Sequence, residues 1–322
     1  MSTPFQMGLF EAPAPPFRAR LAAKLRALAG QGIYVGASSW KYEGWMGQVY
    51  TAERYQQRGR FSRRRFQQEC LGEYAETFPV VCGDFSFYQF PAPEYWNKLF
   101  ASAPPKLKFA FKAPEEITVK IFPIHPRYGG RAGEVNPSFL DADLFRRMFL
   151  EPLEAYGDRV AALIFEFGAF SPSCYKRGEQ FVEDLDGFLG ALPKGRRYSV
   201  EIRNAEFVGP DYVGCLRQHG VAHVFNAWTR MPELGAQIAY PGIHTTDFTL
   251  TRALLRAGRP YAMAVKKFQP YQAVQEENPG ARDALREIIR RAQQRSEGAF
   301  VFVNNRLEGN APGTIAAIVD GE

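Results

Sequence analysis

Cysteine and histidine are both scarce, with four of each in 322 residues. Cys70, Cys82, Cys174 and Cys215 stand far apart without a C-x-x-C pair, which excludes a disulfide scaffold and a thiolate zinc site and fits a reducing cytoplasm. His125, His219, His223 and His244 show no metal-ligand spacing, so a His-rich transition-metal centre is not expected. A divalent ion held by carboxylates alone stays open, on weak support. No apolar run has transmembrane length and the N-terminus lacks the pattern of a signal peptide, so a soluble protein away from membranes is expected. No G-x-G-x-x-G turn follows the first strand, which removes the simplest dinucleotide-cofactor reading.

What is present is the material of a packed core: 46% hydrophobic residues, including 27 Phe and 15 Tyr. Lys and Arg number 40 against 34 acidic residues, a formal charge of +6 that favours anionic partners. Much of the excess sits in the runs Arg58 to Arg65 and Arg290 to Arg295, which read first as solvated helix faces and second as nucleic-acid contacts.

Along the chain, residues 1 to 16 carry four prolines and read as a loose arm, followed by helical spacing over Phe17 to Leu28. Strand patterns then recur at Ile33 to Ser39, Val80 to Tyr88, Leu107 to Ala113, Val160 to Phe167, Tyr198 to Asn204, Val221 to Trp228 and Phe300 to Asn304. A further strand falls on Asp247 to Leu254 or on Tyr261 to Phe268, and the first is preferred. Helical patterns fill the intervals, among them residues 61 to 77, Phe139 to Tyr156, Gly178 to Leu192, Asp211 to His219 and Pro279 to Gln293. Eight strands alternating with helices predict an α/β protein built as a closed (β/α)8 TIM-like barrel. Residues 1 to 30 are expected as an N-terminal arm and helix, and 31 to 322 as one barrel domain.

In such a barrel the carboxyl ends of the strands form the site. In YSVEIRN, Glu201 and Arg203 lie two residues apart and so leave one face of a strand. Glu201 is the first choice for general acid or base, with Glu166 as its partner and Asp84 as a third carboxylate. Lys112, Arg203 and Arg252 are expected to clamp a carboxylate or phosphate. Trp40, Tyr88, Asn226, Trp228, Asn304 and Asn305 complete the expected lining. The competing explanation is that the acids merely neutralise the bases. For Asn304, Asn305 and the loop after Gly309, turn chemistry competes with ligand contact.

The segments GASSW at Gly36 to Trp40, SFY at Ser86 to Tyr88, FAFKAP at Phe109 to Pro114, LIFEF at Leu163 to Phe167, VEIR at Val200 to Arg203, FVNN at Phe302 to Asn305 and GNAP at Gly309 to Pro312 together resemble the YecE-like family, a domain of unknown function. The resemblance covers most of Ile33 to Val319 and implies a (β/α)8 barrel with a polar site at its top. It also implies an arginine at the end of the seventh strand, matched by Arg252 in TLTR. The chain departs from the family pattern at Cys82 and Asp84, where a Glu and an Asn are usual, and at Glu166, where Gln is usual.

The functional expectation is therefore an enzyme using acid and base chemistry on a small anionic or phosphorylated substrate. The alternative is a protein that binds nucleic acid or a phosphorylated ligand without catalysis, with Trp40 and Trp45 as stacking platforms.

Overall fold

The computed structural model describes residues 16–320. The arm expected over residues 1 to 16 lies, apart from Pro16, outside them. Eight parallel strands close into a barrel: β1 Ile33–Ala37, β2 Val80–Gly83, β3 Lys108–Lys112, β4 Val160–Phe167, β5 Tyr198–Ile202, β6 Ala222–Ala227, β7 Phe248–Ala253 and β8 Gly298–Val303. Each strand pairs with its neighbours in sequence, and β8 returns to β1 over five residue pairs. The β1–β2 seam is the thinnest, with the single register pair Ala37 and Val81.

The outer helices are α1 Phe17–Gly30, α2 Arg63–Thr77, α3 Pro93–Ala101, α4 Gly178–Ala191, α5 Pro210–His219, α6 Leu234–Ile238, α7 Tyr261–Phe268, α8 Pro279–Arg295 and α9 Ala311–Val319. Their ends are written locally. Asn278 caps α8 by accepting from the Ala281 N–H, with Pro279 in the first turn, and Gly220 ends α5 in the left-handed region at φ 64°. Ala281, Ala284, Leu285, Ile288, Ile289 and Ala292 form the buried stripe of α8, the 3.6-residue period that makes it a helix packed on a sheet.

The strand period of two sorts side chains into two cores. Cys82, Ala110, Ile164, Val224, Leu250 and Phe302 fill the barrel, whereas Val35, Phe109, Phe165, Val200 and Val301 pack outward with the helices. The same parity, carried one step further toward the carboxyl ends, aims Lys112, Glu166, Glu201, Asn226 and Arg252 at the barrel mouth.

Two expectations change in detail, and the choice of seventh strand is settled as preferred. The second strand ends at Gly83, not Tyr88, because Phe85 turns back over Gly83, where a Cβ would stand 2.6 Å from its ring, and Phe85–Phe87 form a single 3-10 turn. The seventh strand is the preferred Phe248–Ala253 segment, and Tyr261–Phe268 is a helix that buries Ala264 and Phe268, four residues apart. The helix expected over Phe139 to Tyr156 is broken into Ala142–Phe145, a wide turn at Arg146–Leu150, Glu151–Leu153 and a 3-10 segment, with Pro152 at the change of pitch. No helix among the described residues is long and apolar enough to cross a membrane.

Candidate functional site

Six charged side chains meet at the mouth, three cations and three carboxylates. Glu166 and Glu201 stand side by side on β4 and β5, as paired residues of adjacent strands. Two like charges there repel, and two guanidiniums separate them. Arg203 bridges the outer oxygens, with Nη2 at 2.9 Å from Glu166 Oε1 and 3.2 Å from Glu201 Oε1. Arg252 bridges the other pair through Nη1, at 2.5 Å from Glu166 Oε2 and in a short hydrogen bond to Glu201 Oε2. Its Nη2 reaches Asp84 Oδ1 at 3.3 Å. Lys112 closes the circuit, 3.1 Å from Glu166 Oε2 and 3.2 Å from Asp84 Oδ1.

Burial grades across this cluster. The Glu201 and Arg252 side chains are 0% and 2% exposed, whereas Asp84, on the turn beyond β2, is 41% exposed. Burial alone would push Glu166 toward its neutral form, but Arg203, Lys112 and Arg252 outweigh it and hold the carboxyl well below the usual range. Lys112 is buried too, yet Glu166 and Asp84 raise its affinity for its proton, and Glu201 and Glu166 do the same for Arg252. The cluster is a charge-balanced lattice of ions. Beneath it, burial pushes the Cys82 thiol up to about 12, which leaves no thiolate nucleophile there.

Aromatic faces frame the cations. The Arg203 guanidinium lies 3.8 Å from the Trp228 ring centroid, and Lys112 Nζ 4.0 Å from that of Phe87. Asn226, paired with Arg252 in the β6–β7 register, donates to the Ile202 and Val224 carbonyls and leaves its buried Oδ1 without a partner. Tyr88 stands 59% exposed outside the lattice, with Arg127, in the irregular insert over residues 117–135 between β3 and β4, 5.0 Å from its ring. Arg127 in turn pairs with Glu115 at 2.5 Å, which fastens the insert beside the mouth.

The remaining expected residues hold the scaffold. Trp40 is 7% exposed and packs edge-on against Phe85, while Trp45 is fully buried and donates to Asn305 Oδ1 at 3.1 Å. This corrects the expectation of two exposed stacking platforms: the loop after β1 folds its indoles inward. Asn304 accepts from the Arg306 N–H and donates to Ser38 Oγ, and Asn305 accepts from the Ala311 N–H. Asn310 ties the same loop to Gln48 and to the Tyr271 carbonyl. The contacts of Asn304, Asn305 and Asn310 are those of caps and turns.

A trio away from the mouth has metal-ligand character. Asp186 on α4, with Cys215 and His219 on α5, bring ligand atoms within 4.8 Å of one another on the outer face of the barrel. His219 Nε2 is 2.8 Å from Asp186 Oδ1, and burial raises the Cys215 thiol to about 11. The trio is a weak site, because one ligand is a surface carboxylate and the thiol is held protonated.

Sequence reasoning assigned no role to Phe87 or Tyr271, and placed Arg306 only among the strand-end residues and Tyr42 only in the aromatic loop after the first strand; all four lie near the mouth. Tyr42 was one ring in an aromatic run and Arg306 one cation after two asparagines; their meeting with Tyr271 across the fold leaves no local spacing to read.

Among solved structures, the chain is similar to a protein from Thermotoga maritima, 20% identical with a TM-score of 0.59, covering 90% of this chain and 98% of that one. It is similar also to a protein from Enterococcus faecalis, 16% identical with a TM-score of 0.58, covering 89% and 95%. Both are DUF72 family proteins, and at these identities they show the fold. No curated protein matches the chain. The DUF72 family model, described as a protein of unknown function, matches residues 34–320, which span the barrel from the second residue of β1 and include every charge of its mouth, and the chain belongs to that family.

Proposed function

We propose that the protein is a cytoplasmic enzyme that carries out acid and base chemistry on a small anionic or phosphorylated substrate at the barrel mouth. The observation that carries the reading is the grading of the ion lattice: two carboxylates sealed between guanidiniums, and a third, Asp84, open to solvent yet held 3.2 Å from Lys112 and 3.3 Å from Arg252. Two sealed carboxylates next to an accessible one fit a division of labour. Glu166 and Glu201 fix the cations, Asp84 exchanges the proton with substrate, and protonated Lys112 and Arg252 stabilise negative charge that develops beside it. Glu201, first in rank by sequence, takes the supporting role here because it has no exposed surface. The four cysteines are free, with Cys70, Cys82 and Cys215 buried, which fits a reducing compartment.

The test is a panel of phosphorylated and carboxylated small metabolites incubated with wild type and with Asp84→Asn and followed by mass spectrometry. At least one compound should be consumed by wild type and spared by the variant by 100-fold or more. Identical profiles for the two proteins would remove the catalytic reading.

A second reading, nucleic-acid binding, is favoured by one feature. Arg58, Arg60 and Arg64 are exposed, with no carboxylate within 4.0 Å among the described residues. Retention of single-stranded DNA or RNA that falls with salt, and is lost when Arg58, Arg60 and Arg64 are neutralised, would select it over catalysis.

A further inference from the structure

Lys112, Arg203 and Arg252 already have carboxylate partners, so an incoming anion must displace one of those to use them. Arg306 is different. It follows β8 in the first turn of a short helix, Asn305–Glu308, and is half-buried. Among the described residues no carboxylate lies within 4.0 Å of its guanidinium, and its Nε is buried without a hydrogen-bond partner. A partly desolvated cation with no counter-ion is costly unless a ligand supplies one.

Its surroundings point to the ligand. The guanidinium sits 4.5 Å from the Tyr261 ring centroid. It is close enough to the Tyr42 and Tyr271 hydroxyls to favour their ionised forms, against the opposing push of burial. Tyr42 and Tyr271 meet edge to face at 5.5 Å, and Tyr42 lies within electrostatic reach of both Arg306 and the open carboxylate of Asp84. The Arg306 backbone is pinned by the Asn304 side chain, which is itself hydrogen-bonded to Ser38. A forked cation flanked by O–H donors on a fixed turn is complementary to a group that only accepts, a carboxylate or a phosphate.

We infer that Arg306, with Tyr42, Tyr261 and Tyr271, forms the anion subsite of this mouth, and that the substrate carries a terminal phosphate or carboxylate there while its reacting end faces Asp84. This rests on the proposed function and sharpens it: the clamp expected from Lys112, Arg203 and Arg252 passes to a residue outside the lattice.

The experiment measures binding of inorganic phosphate and of acetate by the rise in melting temperature at matched ionic strength, with chloride as the reference. It uses wild type, Arg306→Gln, Arg306→Lys and Arg203→Gln. Wild type should respond to at least one probe beyond chloride, and whichever probe acts identifies the group. Arg306→Gln should weaken that binding at least tenfold while melting no lower than wild type without anion, since the loss of the Tyr261 contact is offset by removal of an uncompensated charge. Arg306→Lys, which keeps the charge but not the fork, should fall between, and Arg203→Gln should retain binding within about threefold of wild type among variants that fold. Equal binding by wild type and Arg306→Gln, or no response of wild type beyond chloride, overturns the subsite. Neither result touches the Asp84-dependent turnover, which stands or falls on the metabolite panel.

Discussion

Arg252 is the side chain on which the ion lattice depends. It is buried, spans three carboxylates from three different strands or turns, and separates Glu166 from Glu201. Removing one partner of a buried ionic network leaves charge uncompensated, and here Glu166 and Glu201 would face each other with Arg203 alone bridging them. Arg252→Met is therefore expected to lower stability by about 3–5 kcal/mol in urea unfolding. Asp84→Asn, at an open position with longer contacts, should cost about 1 kcal/mol or less. Comparable losses for the two variants would contradict the grading of burial on which the roles were divided. Much of this was legible in the sequence: a strand period of two places Glu201 and Arg203 on one face, and polar residues at the ends of apolar strands had to converge. The pairing was not legible, because whether Arg252 meets Glu201 or a substrate depends on how β4, β5 and β7 face one another across the closed barrel, which the spacing along each strand does not encode.

At the scale of elements, the barrel is held least firmly where β1 meets β2. Gly36 makes this seam possible: a Cβ there would stand 2.0 Å from the Val80 carbonyl oxygen, a backbone atom that cannot swing aside. Gly36→Ala should force the strands apart and cost about 3 kcal/mol, the upper end for overpacking, with faster amide exchange in β1 and β2 than in β5 and β6. A change below about 0.5 kcal/mol would show that the seam adapts. Element identity was readable where period and caps agree, as in α8 with Asn278, Pro279 and its aliphatic stripe. It was ambiguous over Tyr261 to Phe268, where eight residues satisfy either period, and packing of Ala264 and Phe268 decided for a helix. The turn beginning at Asp84 was hidden because VVCGDFSFY has the composition of one long strand, and only the fit of Phe85 over Gly83 breaks it.

For the molecule as a whole, the buried titratable groups impose a stepwise response to acid. His223 lies on the outward face of β6 against Tyr212, and burial lowers its proton affinity from 6.5 to about 4. Between those values the unfolded chain takes a proton that the folded protein refuses, so stability is lost as pH falls from about 6.5 toward 4, by roughly 3 kcal/mol for a shift of that size. His244, likewise lowered to about 4 by burial with Arg291 and Arg295 nearby, acts in the same direction. The carboxylates follow. Glu166 has its proton affinity lowered by the lattice, so its contribution is complete above the ordinary value of 4.5 and is lost as pH falls below it. Urea midpoints measured from pH 7 to 3.5 should accordingly decline in two stages. His223→Asn should shrink the first stage and leave the second, whereas Glu166→Gln, less stable throughout, should flatten the second and leave the first. An unchanged slope above pH 4.5 in His223→Asn would mean that this imidazole is protonated within the fold, with its Nδ1–H donating to the Tyr212 hydroxyl.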